Sequence, residues 1–571
     1  MKAKSTIIIV FVTSLLTSSL LAQNPIFEWA KHMGGINEEY LESGRSITTD
    51  TNGNVYTMGV FSDIVDFDPG PGITNLTSVG LHDFFIQKLD ANGNFLWVKQ
   101  IGGVNEEYGG SMTTDTNGNV YTTGSFQEIV DFDPGVGTVN LTSFGGQDIF
   151  IQKLDAYGNF IWVKQMGGIG VDTGYSITID DIGNVYTTGR FSDIVDFDPG
   201  TGINILTAVE GSHDIFIQKL DTNGNFIWAK QMGGNSIDNG NSITTDTNGN
   251  LYTTGYFQLT VDFDPGTGTA NLTSLGISDI FIQKLDANGN FQWAKHMGGT
   301  GIDSGSSITT DINGNVFTIG NFYDTVDFDP GAGITYLTSI GSVDSFIQKL
   351  DTNGNFLWVN QIGGNSEDYG ESITTDANGS IYTTGNFRNI VDFDPGVGTA
   401  NLTSLGSNDI FIQKLNTSGN LLWVVQIGGG YSDGGISITT DTNGNVYTTG
   451  SFSGTVDFDP GIGITNFTSL GFSDIFIQKL YQTPLGLLEN SFADNYVLYP
   501  NPTDGKFSIN FENTQESLTV RLLSILGQEI QIKKFQNTNY LQLELKQPNG
   551  IYVLEITNYK GEKAVYKLIK K

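Results

Sequence analysis

The chain has 571 residues with no cysteine, four histidines, and 61 acidic against 27 basic residues, a formal net charge of −34. Without thiols, disulfides, thiolate metal sites and cysteine nucleophiles are excluded. The imbalance lies in the middle: residues 23–483 hold 15 bases and 52 acids, while 484–571 hold ten bases and nine acids. A body this acidic repels phosphate backbones and anionic lipid, so nucleic acid is not its partner.

In chain order, Lys2 and Lys4 precede an apolar run from Ile7 that continues, spotted with hydroxyls, to Leu20-Leu21-Ala22. This pattern reads as a secretory signal peptide over residues 1–22, cleaved between Ala22 and Gln23. No later stretch is long and apolar enough for a transmembrane helix, so the mature chain is expected to be exported without a membrane span.

The middle is one unit written seven times. DFDPG begins at Asp66, Asp131, Asp196, Asp262, Asp327, Asp392 and Asp457, and the seven tryptophans keep the same beat from Trp29 to Trp423. Four strands can be drawn per unit: SITTD and NVYTTGSF around one N-G turn, DIFIQKLD and NFxWxKQ around another. Asn-Gly between β-prone runs signals a hairpin. Strands with consecutive apolar residues, such as Ile215-Phe216-Ile217, need cover on both faces, which suits a sheet held between two others. The seventh copy stops at Tyr481 without its Trp strand, and the missing strand stands before the first SITTD, as Ile26–Lys31. The expectation is therefore all-β: a seven-bladed β-propeller of four-stranded blades over residues 23–483, closed by the N-terminal strand. DPGxG, NLTS, DIFIQKLD, NGNF and Trp resemble the bacterial seven-bladed β-propeller repeat family over residues 26–481. That resemblance implies a fold and no defined activity.

After Pro484 the repeat ends and the charge is balanced. Residues 484–496 read as a linker, and 497–571 as a domain of short strands, expected to be a small β-sandwich. Pro500-Asn501-Pro502 with Gly505, then Asn549-Gly550-Ile551-Tyr552 and the terminal Lys-Leu-Ile-Lys, resemble the C-terminal sorting domain of the type IX secretion system of Bacteroidetes. The resemblance implies that the type IX machinery is a partner and that the protein ends outside the cell or on its outer-membrane surface.

No catalytic set stands out. His32 and His296 share one repeat position and His82 and His213 another, with no recurrent partner. Calcium is the cofactor the acidic repeats would take, with Asp66, Asp68, Asp131 and Asp133 as weak ligand candidates. The simpler reading is structural: Val65 and Phe67 face inward, the aspartates outward, and Pro-Gly turns the chain. Asp50-Thr51-Asn52-Gly53-Asn54 departs from a calcium loop in its glycine position and lacks the closing Glu, so a braced hairpin fits better. The leading expectation of function is a non-catalytic module for a glycan or protein. A calcium-stabilised matrix protein is the alternative, and a polysaccharide hydrolase or lyase a third. An enzyme would need a non-consensus polar position lining the central channel, and none is evident. The DFDPG segments and blade links share one face, with link acids at Glu38, Glu106, Asp172, Asp238, Asp303, Glu367 and Asp433. That face is expected to meet ligand or cation.

Overall fold

A computed structural model describes residues 24–36, 42–209, 211–482, 496–524, 529–548, 550–559 and 563–571. The signal peptide with its Ala22/Gln23 cut, Glu38, Asn549 and the linker up to residue 495 lie outside the described residues. Those residues are all-β, and no helix among them is long and apolar enough to cross a membrane.

The chain opens with β1 (Ile26–Gly35), β2 (Ser43–Thr49), β3 (Val55–Phe61), β4 (Ile64–Asp66), β5 (Asn75–Thr77), β6 (Asp83–Leu89) and β7 (Phe95–Gly103). Strands β2, β3, β6 and β7 form the first antiparallel sheet in that order. The pattern recurs through the repeats, and the seventh sheet takes Gly434–Thr440, Val446–Phe452 and Asp474–Tyr481, with β1 as its fourth strand. Each DFDPG segment adds an unforeseen element. In the first unit β4 and β5 make a short hairpin that pairs with Gly34 and Gly35 of β1, so it reaches back to the preceding sheet.

The N-G turns form because Gly53 (φ 78°) and Gly93 (φ 76°) take a left-handed conformation without steric cost. Asp50 braces the first turn: its Oδ1 accepts the Asn52 and Asn54 amides, its Oδ2 the Asn54 side chain and the Tyr56 hydroxyl. The braced-hairpin reading of this segment therefore stands.

Every residue of β3 and β6 is buried. Their apolar side chains fill cores between sheets and not within them. Tyr56, Phe84 and Ile86 of the first sheet meet Met112 and Phe150 of the second, with Phe132 of the intervening DFDPG segment. Trp29, Met33 and Ile475 of the seventh meet Ile47, Phe61 and Phe85 of the first. Polar contacts repeat in step. Lys88 donates to the Ala156 carbonyl at 3.2 Å, Lys153 to that of Thr222 at 3.3 Å, and Lys479 of the seventh sheet to that of Ala91 in the first at 3.1 Å. Trp29 and Trp97 reach the same carbonyls, Ala91 and Ala156.

The C-terminal region differs from the expected sandwich. Its strands follow one hydrogen-bonded sheet, because the long Lys506–Ser524 strand changes neighbours midway. Its first half pairs with Tyr496–Tyr499 and its second with Gly550–Asn558, while Glu529–Glu544 follows it along both. Side chains from the two halves, among them Phe507, Ile509, Leu518 and Val520, share a single core with Leu554 and Leu568.

Candidate functional site

The first strand of each sheet packs against the first strand of its neighbours, including β2 against Gly434–Thr440. Each carries a β-bulge at the same place. Between Gly44 and Ser46 the pairing of β2 with β3 slips, leaving Arg45 as the extra residue. The same slip isolates Gly110, Tyr175, Asn241, Ser306, Glu371 and Ile436 in the other six sheets. A bulge re-aims the side chain it frees. These seven residues are half-buried and all different, although the glycine before each and the serine after it recur in all seven copies.

Their side chains meet across sheets. Arg45 Nη1 donates to the Tyr108 hydroxyl at 3.2 Å, and its guanidinium lies 5.0 Å from that ring's centre. Within the third sheet, Arg190 lies 5.8 Å from the Tyr175 ring. Burial raises the Tyr175 phenol, the Arg190 charge opposes the rise, and Tyr108 and Tyr256 add to it. Asn241 donates to the Gly305 carbonyl at 2.8 Å and to Ser304 Oγ at 3.2 Å. Burial raises the Glu371 carboxyl against the pull of Arg45, although the seventh sheet lies between theirs. Guanidinium, phenol, amide and carboxylate therefore converge on one cluster, a set suited to recognition and without a histidine. This is the non-consensus position, named above as what an enzyme would need, that the sequence did not make evident. Lining up the copies at the residue before each SITT serine would have revealed it.

The acids of the link face prove to be a different device. Asp172, Asp238, Asp303 and Asp433 are buried, and the matching residues in the other sheets are Glu42, Glu107 and Asp368, also buried. Glu106 and Glu367, the link acids read from the sequence in two of those copies, are exposed neighbours of Glu107 and Asp368. Each buried acid caps backbone: Asp172 takes the Gly168 and Ser192 amides, and Glu107 takes Gly103 at 2.7 Å. Beside each stands the aspartate that opens the third strand, as Asp83 stands beside Glu107. Burial first, with that neighbouring charge adding, raises Glu107 to about 7 and Glu42, beside Asp474, to about 8. Burial likewise raises Asp172 to about 7 and Asp148 to about 6. These carboxylates belong to the seams between sheets, so the crowded ligand-facing acid surface read from the links is much reduced.

The seams also explain Gln and Gly-Gly in QxGG. Gln100 donates to Asp83 Oδ2 at 2.5 Å, and a methyl built on Gly102 would lie 2.0 Å from Asp83 Cγ. His32 and His296 replace that glutamine and pair with Asp474 at 2.5 Å and Asp279 at 2.7 Å. They are structural partners. His82 and His213 are half-buried at the start of the third strands.

The calcium candidates spend oxygens on their own loops. Asp66 Oδ1 accepts the Asp68 and Thr74 amides, Asp68 Oδ1 that of Gly70, and Asp131 and Asp133 repeat the pattern. Val65 and Phe67 are fully buried, as the alternation implied. No group of three or more His, Asp or Glu among the described residues is placed to hold a metal ion.

In the C-terminal domain, signatures distant in sequence gather at one corner. Asn501 Oδ1 accepts the Ile569 amide at 2.9 Å, and Thr503 exchanges backbone bonds with Ile569 and Lys571. Pro500 and Pro502 flank Asn501 in this stretch. Gly505, at φ 122°, offers its carbonyl to Leu545, and Gly550 pairs with Lys570. The Pro-Asn-Pro segment thus pins the final strand.

Residues 497–571 match the family described as the secretion system C-terminal sorting domain. The β-propeller repeat family matches residues 96–125, 161–190, 227–256, 292–321, 357–386 and 422–451. Each match runs from a fourth strand across the link into the next sheet, and so includes one bulge. An uncharacterized WD repeat-containing protein of Acanthamoeba polyphaga mimivirus is 27% identical over 468 residues, 68% of this chain and 33% of that protein. Regulatory protein FlaEY of Caulobacter vibrioides is 26% identical over 189 residues, 32% of this chain and 19% of that protein. The chain thus spans a third or less of the length of these relatives. Among solved structures, a fungal alcohol oxidase of the AA5 family in complex with copper has 12% identity and a TM-score of 0.32, covering 95% of this chain and 98% of that one. The exotype rhamnogalacturonan lyase YesX has 11% identity and a TM-score of 0.24, covering 94% and 91%. Likenesses this slight carry no argument about fold or activity. The matched segments define the chain, which consists of β-propeller repeats followed by a type IX secretion system C-terminal sorting domain.

Proposed function

We propose that this is a secreted or surface-displayed binding module without catalytic activity, a seven-bladed propeller over residues 23–483 that is closed by β1. Closure is supported by β1 completing the seventh sheet and by Lys479 repeating toward Ala91 the contact that Lys88 makes with Ala156. The C-terminal domain supports export. The observation that carries binding is the bulge position: between a glycine and a serine that recur in all seven blades stands a residue that differs in every one, where the first strands meet around the axis, and it is polar or aromatic in most copies. Structure alone gives no reason for such divergence, since Ser306 fills the same bulge in the fifth blade.

The test is an array of glycans and surface polysaccharides probed with the full secreted chain and with a variant carrying serine at 45, 175, 241 and 371. Loss of binding at an unchanged melting temperature supports the axial site. Binding that survives the four serines places recognition elsewhere and overturns the proposal.

A further inference from the structure

Arginine is scarce in this chain. Of four, three lie in residues 23–483, and two of those, Arg45 and Arg190, stand in the bulge cluster. Each is held beside a tyrosine ring, Tyr108 or Tyr175. Stacking of this kind fixes the guanidinium plane and leaves its edge donors for an acceptor. The Nε of both arginines is buried and has no hydrogen-bond partner. A charged donor withdrawn from water without an acceptor is costly, so both guanidiniums are short of acceptors, a deficit that an anionic oxygen at their outer nitrogens would offset. Around them stand groups that suit a polyhydroxylated ring: the faces of Tyr108 and Tyr175 turned from their arginines, the Tyr256 ring, the Asn241 amide and the Glu371 carboxylate.

We infer that the cluster binds a glycan ending in a uronic acid, with Arg45 and Arg190 taking the carboxylate and the tyrosines the sugar face. This rests on the reading of the cluster as the binding site. The rest of the propeller sets the limit on ligand charge. Residues 23–483 carry 52 acids against 15 bases and repel an extended polyanion at long range. A single terminal carboxylate on a neutral chain fits; a sulfated polymer does not.

The test titrates the full secreted chain, at about 0.15 M salt, with a disaccharide ending in glucuronic acid, with the same disaccharide ending in glucose, and with heparin. The uronide should bind at least about tenfold more tightly than the neutral sugar, and heparin should bind weakly. Arg45→Gln and Arg190→Gln should each weaken uronide binding by about tenfold at an unchanged melting temperature, and together they should abolish it. Equal binding of the acidic and neutral sugars, both lost in the four-serine variant, overturns the carboxylate assignment and leaves the site standing. Undiminished uronide binding by the double arginine variant overturns the site as well. Failure of the uronide to bind at millimolar concentration overturns the inference, whatever other ligand the array reveals.

Discussion

Ionisation of the seam carboxylates should make the protein less stable as pH rises, and Glu107 allows the effect to be isolated. Its folded pKa of about 7 stands well above the roughly 4.3 of an unfolded chain. At 1.36 kcal/mol per unit, the gap corresponds to about 4 kcal/mol. Glu107 is only 1% exposed, so solvent screens little of this. The sign follows from linkage: the fold holds the proton more tightly than the unfolded chain does. The contribution is therefore full below about pH 4 and is lost as pH rises through about 7. Glu107→Gln cannot ionise, keeps an oxygen for the Gly103 amide, and brings N–H donors toward Asp83 Oδ1, which lacks a partner. The variant should gain on the wild type by about 3 kcal/mol between pH 5 and pH 8. Urea unfolding of the full chain at pH 5, 6.5 and 8 measures this. The wild-type difference cancels the general repulsion of an acidic protein, since only one charge changes. A difference that ignores pH would refute the reasoning.

Deleting residues 24–35 removes the fourth strand of the seventh sheet with Trp29 and Met33; melting should fall by more than about 10 °C and oligomers should appear by light scattering. Gly102→Ala should cost about 3 kcal/mol or more by driving a methyl onto Asp83, and Asp83→Ala in the same chain should recover part of that loss in a double-mutant cycle. Asp66→Ala removes an oxygen that holds two amides and should cost about 2 kcal/mol, whereas Asp66→Asn, which keeps that oxygen, should cost under about 1 kcal/mol in the same melts. Truncation before Leu485 should leave the propeller in the periplasm of the native host; fractionation that finds it on the surface would defeat the sorting assignment.

Repeat length, the four strands of each main sheet and the displaced Trp strand were legible in the sequence, because hairpin turns and alternating burial are local and appear in each copy as fixed residue types. The Asp50 brace and the inward Val65 and Phe67 followed from the same short-range chemistry. The sorting signatures could be recognised but not joined, since Asn501 and Ile569 meet only through sheet pairing. The role of the link acids was misjudged for a related reason. Composition counts carboxylates, but whether one is a ligand or a buried cap depends on which backbone amides arrive beside it, as Gly168 and Ser192 arrive at Asp172. The bulge cluster needed tertiary structure most of all. Arg45, Tyr175 and Glu371 are distant in the chain and sit in strands that otherwise bury their neighbours. An extra residue in each strand's pairing turns them toward one another, and only the packing of first strand against first strand gives that turn a common destination.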